Sequence, residues 1–124
     1  VARSPKTDLK NKSYYIKFNN FNLQNLPETV SGISVQLVAD RRGRIMDDTI
    51  QLCLNDELIG ENKADRILDF TKTYGGENDL WGLESISLSD VTNPNFGVVM
   101  RFQSHPDWPH RDGMLIDRVQ LRIH

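Results

Sequence analysis

Phe96-Gly97-Val98-Val99-Met100-Arg101-Phe102-Gln103 sets a large apolar side chain at every second position, with Gly97, Val99, Arg101 and Gln103 between them. Successive side chains of an extended strand point to opposite faces. This stretch therefore buries Phe96, Val98, Met100 and Phe102 together and turns the others outward. The same period recurs along the chain. Tyr14, Ile16 and Phe18 alternate with Tyr15, Lys17 and Asn19, and Ile33, Val35, Leu37 and Ala39 alternate with Ser34, Gln36, Val38 and Asp40. Ile50, Leu52 and Leu54 alternate with Gln51, Cys53 and Asn55, and Val119, Leu121 and Ile123 with Arg118, Gln120 and Arg122. Weaker strands are expected at 67–74 and 80–88. Helical periodicity is confined to one turn at 89–93, with Ser89 as its cap and Pro94 as its stop. Seven to eight short strands, each wet on one face, predict an all-β chain built as an antiparallel two-sheet β-sandwich, jelly-roll-like. A parallel α/β fold would need crossover helices, and the chain has no room for them. Arg41-Arg42-Gly43-Arg44 reads as a hairpin turn, and Asn55-Asp56-Glu57 begins another connection.

Two further segments pair aromatics with glycine: Thr73-Tyr74-Gly75-Gly76-Glu77-Asn78-Asp79-Leu80-Trp81-Gly82 and Asn95-Phe96-Gly97-Val98. Glycine permits backbones closed to other residues, and the adjacent aromatic supplies core area that holds the turn down. Tyr74, Gly75, Trp81, Gly82, Phe96 and Gly97 are accordingly assigned to the scaffold, with Trp81 at a strand end.

The chain has 124 residues, enough for one domain with its own core, and its 38% hydrophobic and 26% charged content is that of an ordinary globular protein. Net charge is −2, but residues 1–20 carry Arg3, Lys6, Lys10, Lys12 and Lys17 against Asp8, or +4, which leaves −6 for the remainder. A basic N-terminal arm over 1–12 followed by a single domain over 13–124 is the expected organisation. The chain opens on Val, as a processed product or part of a longer chain would, and residues 1–13 do not read as a signal peptide. No apolar stretch approaches the roughly 20 residues of a membrane helix, so membrane insertion is not expected. Cys53 is the sole cysteine, read as a small mid-strand hydrophobe rather than a nucleophile.

His105 and His110 flank Pro106-Asp107-Trp108-Pro109, with Arg111-Asp112 following. Two imidazoles and two carboxylates are metal-ligand types. Their spacing is not that of a helical pair, however, and two prolines stiffen the segment, so a solvent-facing connection is expected and no metal or cofactor. Trp108 either stands out as a stacking surface for a sugar ring or a partner, or folds back over the end of the sandwich. Tyr15 is a second candidate platform. Asp47-Asp48, Asp56-Glu57 and Glu77-Asn78-Asp79 read as solvated turns, since none alone supplies the six to eight oxygens that calcium takes. Asp117 is in phase with Leu115, Val119, Leu121 and Ile123, which places a carboxylate on the apolar face, in need of a donor. Arg41, Arg42 and Arg44 crowd one turn beside Asp40, Asp47 and Asp48, which suits salt bridges at a protein interface better than nucleic-acid binding.

The order of short phrases carries a resemblance. Gly32-Ile33-Ser34-Val35, Asp48-Thr49-Ile50-Gln51-Leu52 and Gly60-Glu61-Asn62-Lys63-Ala64 come first. Thr73-Tyr74-Gly75-Gly76, Asp79-Leu80-Trp81-Gly82, Asn95-Phe96-Gly97-Val98 and Ile116-Asp117-Arg118-Val119-Gln120-Leu121 follow. Over roughly 14–123 this series resembles a jelly-roll-like β-sandwich module of structural proteins in tailed-bacteriophage particles, including tail, baseplate and fibre components. The resemblance implies a non-enzymatic virion protein at the particle surface, oligomeric there, that contacts other virion proteins or decorates the shell and touches host-surface glycan. A carbohydrate-binding β-sandwich module is the alternative. In either case Trp108, His105, His110, Arg41, Arg42, Arg44 and Tyr15 are the expected contact residues, and the exposed strand faces bearing Gln36, Val38, Gln51, Cys53, Val99, Arg101 and Gln120 are expected to meet partners.

Overall fold

The chain passes between two β-sheets at almost every connection. The structure, a computed structural model, describes residues 15–21, 23–42, 45–66, 71–104 and 113–124, with 40–42, 45, 104 and 113–115 described by backbone alone. Its elements are β1 (Ile16–Asn19), β2 (Ile33–Arg42), β3 (Ile45–Leu54), β4 (Glu57–Ile59), β5 (Thr71–Gly75), α1 (Leu88–Val91), β6 (Phe96–Ser104) and β7 (Gly113–Ile123). One sheet has the order β1-β6-β3-β4 and the other β5-β2-β7, every pairing antiparallel. The expected all-β, antiparallel two-sheet sandwich is therefore the architecture found, with seven strands among the described residues. No helix among them is long and apolar enough to cross a membrane.

The core fills the space between the sheets as the alternation requires. Ile33, Val35, Leu37 and Ala39 face Ile50 and Leu52 of the other sheet, with Phe96, Val98, Met100 and Phe102 beside them, all buried. Gly97 lets β1 approach β6: a Cβ there would lie 1.9 Å from the Phe18 carbonyl oxygen. Asn55 and Asp56 form the β3–β4 turn with φ of 51° and 68°, the two left-handed residues of a type I′ hairpin.

Four expectations are corrected. The Arg41-Arg42-Gly43-Arg44 stretch does not close a hairpin. Strand β2 pairs with β5 and β7, whereas β3 pairs with β6 and β4, so the two flanking strands belong to different sheets, and Gly43 and Arg44 lie outside the described residues. Alternation reveals a strand's faces, not its neighbours. No strand forms at 80–88, because Trp81 takes φ 57°, a left-handed conformation that breaks extension. The helical turn starts earlier than expected. Ser87 is the cap, accepting from Asp90 N while Asp90 Oδ2 accepts from Ser87 N, a capping box that places Ser89 inside the helix.

The fourth correction concerns phase. Each sheet contains a register shift beside an acidic residue, at Asp47/Thr49 in β3 against β6 and at Val38/Ala39 in β2 against β7. Asp48 and Asp117 are the extra residues of these bulges, and each resets which side chains face inward. Asp117 is thereby exposed and Ile116 takes the buried position. The reverse happens at Asp47, which is fully buried opposite Phe102 rather than lying in a solvated turn.

Trp81 fixes the connection that follows β5. It is fully buried, and its Nε1 donates to the Ile33 carbonyl at 2.8 Å, which also accepts from Gly76 N at 3.1 Å. Gly75, at φ +78°, leaves the space for this: a Cβ there would fall 2.7 Å from Trp81 Nε1. Trp81→Phe should lower unfolding free energy by about 2–4 kcal/mol in urea titration, combining a lost buried hydrogen bond with a void. A loss under about 1 kcal/mol would contradict this role. Asp117→Ala, in contrast, should move stability by less than about 0.5 kcal/mol, as an exposed bulge substitution does.

Candidate functional site

Three side-chain constellations stand out, and two of them are built on the β3 bulge. Bulge residue Asp48 points its carboxylate toward Arg101, whose Nε donates to Asp48 Oδ2 at 2.7 Å. The Arg101 guanidinium also lies 4.4 Å from the centre of the Tyr15 ring, a cation–π contact. Tyr15 remains 55% exposed. A carboxylate and an aromatic ring thus hold one arginine in place on the outer face of the four-stranded sheet. The bulge also leaves an edge to be sealed. Asn62 does this with its side-chain amide, accepting from Ile50 N at 2.9 Å and donating to the Asp48 carbonyl at 3.1 Å.

One residue earlier, the buried Asp47 carboxylate ties the two sheets together. Tyr74 of β5 donates to Asp47 Oδ2 at 2.7 Å and Lys72 donates to the same oxygen at 3.3 Å. Lys72 also pairs with Asp65 and lies 5.0 Å from the Tyr74 ring centre. Burial, and then the bond to Asp47, raise the Tyr74 phenol well above its ordinary value, so it stays a donor. Asp47 Oδ1 accepts no hydrogen bond among the described residues.

The third constellation surrounds Lys63, which bonds Asp79 at 2.6 Å and Glu61 at 2.9 Å beneath the Trp81 ring. A depression of about 390 Å³ separates Lys63 from Lys72, with Asn62, Ala64, Thr73 and Gly75 along it. Each ammonium already carries two carboxylates, so the depression has no unmatched positive charge for an anion. Its groups brace the fold.

The remaining expected residues separate into three sets. Trp108, His105, His110 and Arg44 lie outside the described residues, and Arg41 and Arg42 are placed by backbone alone at the end of β2. Tyr74, Gly75, Trp81, Phe96 and Gly97 hold the core or its turns, and Gly82 takes φ +79° beside Glu61. Of the strand faces, Gln36, Val38, Gln51 and Arg101 are half-buried and Gln120 is exposed, but Cys53 and Val99 are buried. Lys17 bonds Asp56 from across the sheet and passes its charge near Cys53, and such long stems shield small outward groups. Burial pushes the Cys53 thiol up, which disfavours the nucleophilic thiolate. No three His, Cys, Asp or Glu side chains converge as a metal site among the described residues. Sequence reasoning took Asp47 and Asp48 for a solvated turn and gave Asn62 no role, because the partners of all three are distant in sequence.

Comparison with protein-family models, with curated proteins and with solved structures found no match.

Two outcomes follow from these contacts. Tyr74→Phe removes one of the donors to a buried carboxylate and should cost about 1–3 kcal/mol by chemical denaturation; an unchanged midpoint would refute the clasp. Asp79 is buried enough to oppose ionisation, yet bonds from Lys63 and from Trp81 N–H hold its carboxyl below the usual 3.8. A depressed folded value contributes stability above 3.8, and that stability disappears as pH falls through the folded value. Melting temperature should therefore drop on acidification below 3.8, and Asp79→Asn should flatten that part of the profile. A profile of unaltered slope in the variant would exclude Asp79 as a contributor.

Proposed function

We propose that this chain is a non-enzymatic structural module acting through protein–protein contacts, and that it forms part of the surface of a tailed-bacteriophage particle. The observation that carries the contact reading is the Tyr15–Arg101–Asp48 stack. Tyrosine and arginine are the side chains that most often anchor interfaces, and here both are positioned before any partner arrives. The stack lies at the start of β1 and late in β6, at the end of the sandwich where β2 stops and β7 begins. The virion assignment rests on the ordered aromatic–glycine phrases of the sequence, and it implies other virion proteins and further copies of the chain as partners.

The exposure of Tyr15 favours one second reading, a carbohydrate-binding module that stacks a sugar ring on that tyrosine. The two readings diverge on one substitution. Tyr15→Ala should leave the melting temperature nearly unchanged, since the residue is 55% exposed. In a phage that encodes the chain, it should reduce incorporation into particles several-fold, measured by quantitative mass spectrometry of purified virions. Full incorporation with loss of glycan-array binding would transfer the assignment to the carbohydrate reading. Turnover of a polysaccharide by the purified chain would overturn both.

A further inference from the structure

Strand β7 forms one edge of the three-stranded sheet, and its neighbour fixes which backbone groups face outward. His124 N donates to the Gly32 carbonyl at 2.8 Å, and the His124 carbonyl accepts from Ser31 N at 2.7 Å. Alternate residues of an antiparallel strand turn their backbone groups to opposite sides. Residues 118, 120, 122 and 124 therefore bond toward β2. Ile33 confirms the parity: it sits opposite Ile123, yet directs its N–H to Asp79 and its carbonyl to Gly76 on the far side. The N–H and carbonyl groups of Val119, Leu121 and Ile123 consequently point away from β2, and no bond to them forms among the described residues.

The surface beside this edge is shaped for company. A groove of about 450 Å³ runs beside this edge along Leu23, Leu26 and Leu121, and its exposed lining, which includes Gln24, Asn25 and Arg122, is more polar than apolar. Leu23, Leu26 and Leu121 are only partly buried where they pack on the core. On the outer face, Arg118 and Arg122 are exposed on either side of Gln120, and neither has a carboxylate partner among the described residues.

We propose that the β7 edge takes an added strand, supplied by an extended peptide segment with acidic side chains toward Arg118 and Arg122. Three outward-facing residues at alternate positions offer a ladder of donors and acceptors, the template on which strand addition works. Charge selects the occupant. A second copy docking edge to edge would bring four arginines together, and the chain's own basic arm, at +3 over residues 1–12, has the wrong sign. An acidic strand places carboxylates four residues apart on one face, the spacing of Arg118 and Arg122. This inference deepens the contact reading by naming one class of partner, and it concerns a different surface from Tyr15.

The test uses the whole chain, isotope-labelled, titrated with a short synthetic peptide alternating glutamate with valine and with a control alternating lysine with valine. The glutamate peptide should bind, and amide exchange at Val119, Leu121 and Ile123 should slow about tenfold or more. Reversing both charges, R118E with R122E, alters exposed positions only, so the melt should hold. Affinity for the glutamate peptide should then fall about tenfold while the lysine peptide gains. Absence of binding, binding indifferent to the reversal, or shifts mapped to another surface would overturn the proposal. Concentration-dependent dimerisation protecting the same amides without peptide would also overturn it, in favour of a second copy. The titration involves no particle, so its failure removes the edge site without touching the incorporation test of Tyr15.

Discussion

The carbonyl of Ile33 is the point on which the closed end of this sandwich depends. It receives the indole of Trp81 and the amide of Gly76, while the Ile33 N–H binds the Asp79 carbonyl. The segment from Gly76 to Trp81 is thereby folded back onto the first residue of β2. The indole must reach a backbone oxygen deep between the layers, and it does so only with Trp81 in a left-handed conformation and with hydrogen where Gly75 would otherwise carry a side chain. That conformation is strained for a bulky residue. Full burial of the ring, its hydrogen bond and the Lys63 ammonium 5.5 Å from its centre hold it there. The Trp81 carbonyl then accepts from Glu61 N, so the segment after β4 is tied to the same point.

From that anchored end the two sheets diverge in their requirements, and the bulges reconcile them. An uninterrupted β3 would place Asp47 on the outer face with Thr49 and Gln51. The extra residue, Asp48, turns Asp47 inward instead, where Tyr74 and Lys72 of the opposite sheet reach it. A buried carboxylate is costly without donors. Here the cost is offset by a charge-assisted contact that crosses between layers, which apolar packing alone does not specify in direction. The same extra residue supplies the outward carboxylate that orients Arg101. One inserted position thus serves the core with its predecessor and the surface with its own side chain.

These features show which parts of the fold were legible. Alternation identified the buried faces of β2, β6 and the C-terminal half of β7, because long runs of period 2 admit one reading. It failed where a single residue is inserted. Asp117 kept its nominal phase with Val119 and Leu121 on paper, yet the bulge lies between them, and nothing in residue type distinguishes a bulged aspartate from one in register. Trp81 misled in the opposite sense, since an aromatic amid leucines favours extension by propensity, and only a hydrogen bond to a residue 48 positions away overrides it. The candidate contact surface was half legible. Tyr15 stood out as an aromatic on a wet face, but its partners come from strands whose neighbour order the sequence does not encode. Asp48 and Arg101 are 53 residues apart and meet only because β6 lies between β1 and β3.

The edges of the two sheets complete the argument about how such a molecule meets others. In the four-stranded sheet the edges are short: β1 pairs over four residues and β4 over three. Asn62 closes the stretch of β3 beyond β4 with side-chain hydrogen bonds in place of a strand. In the three-stranded sheet β5 spans five residues, but β7 runs for eleven. Natural sheets blunt long edges with bulges and charge, and β7 has both, a bulge at Asp117 and arginines at 118 and 122. Two like charges on one edge repel an identical edge and attract an acidic strand. The same bulge and charges that disfavour edge-to-edge pairing of two β7 strands set no such barrier to an added strand of opposite charge.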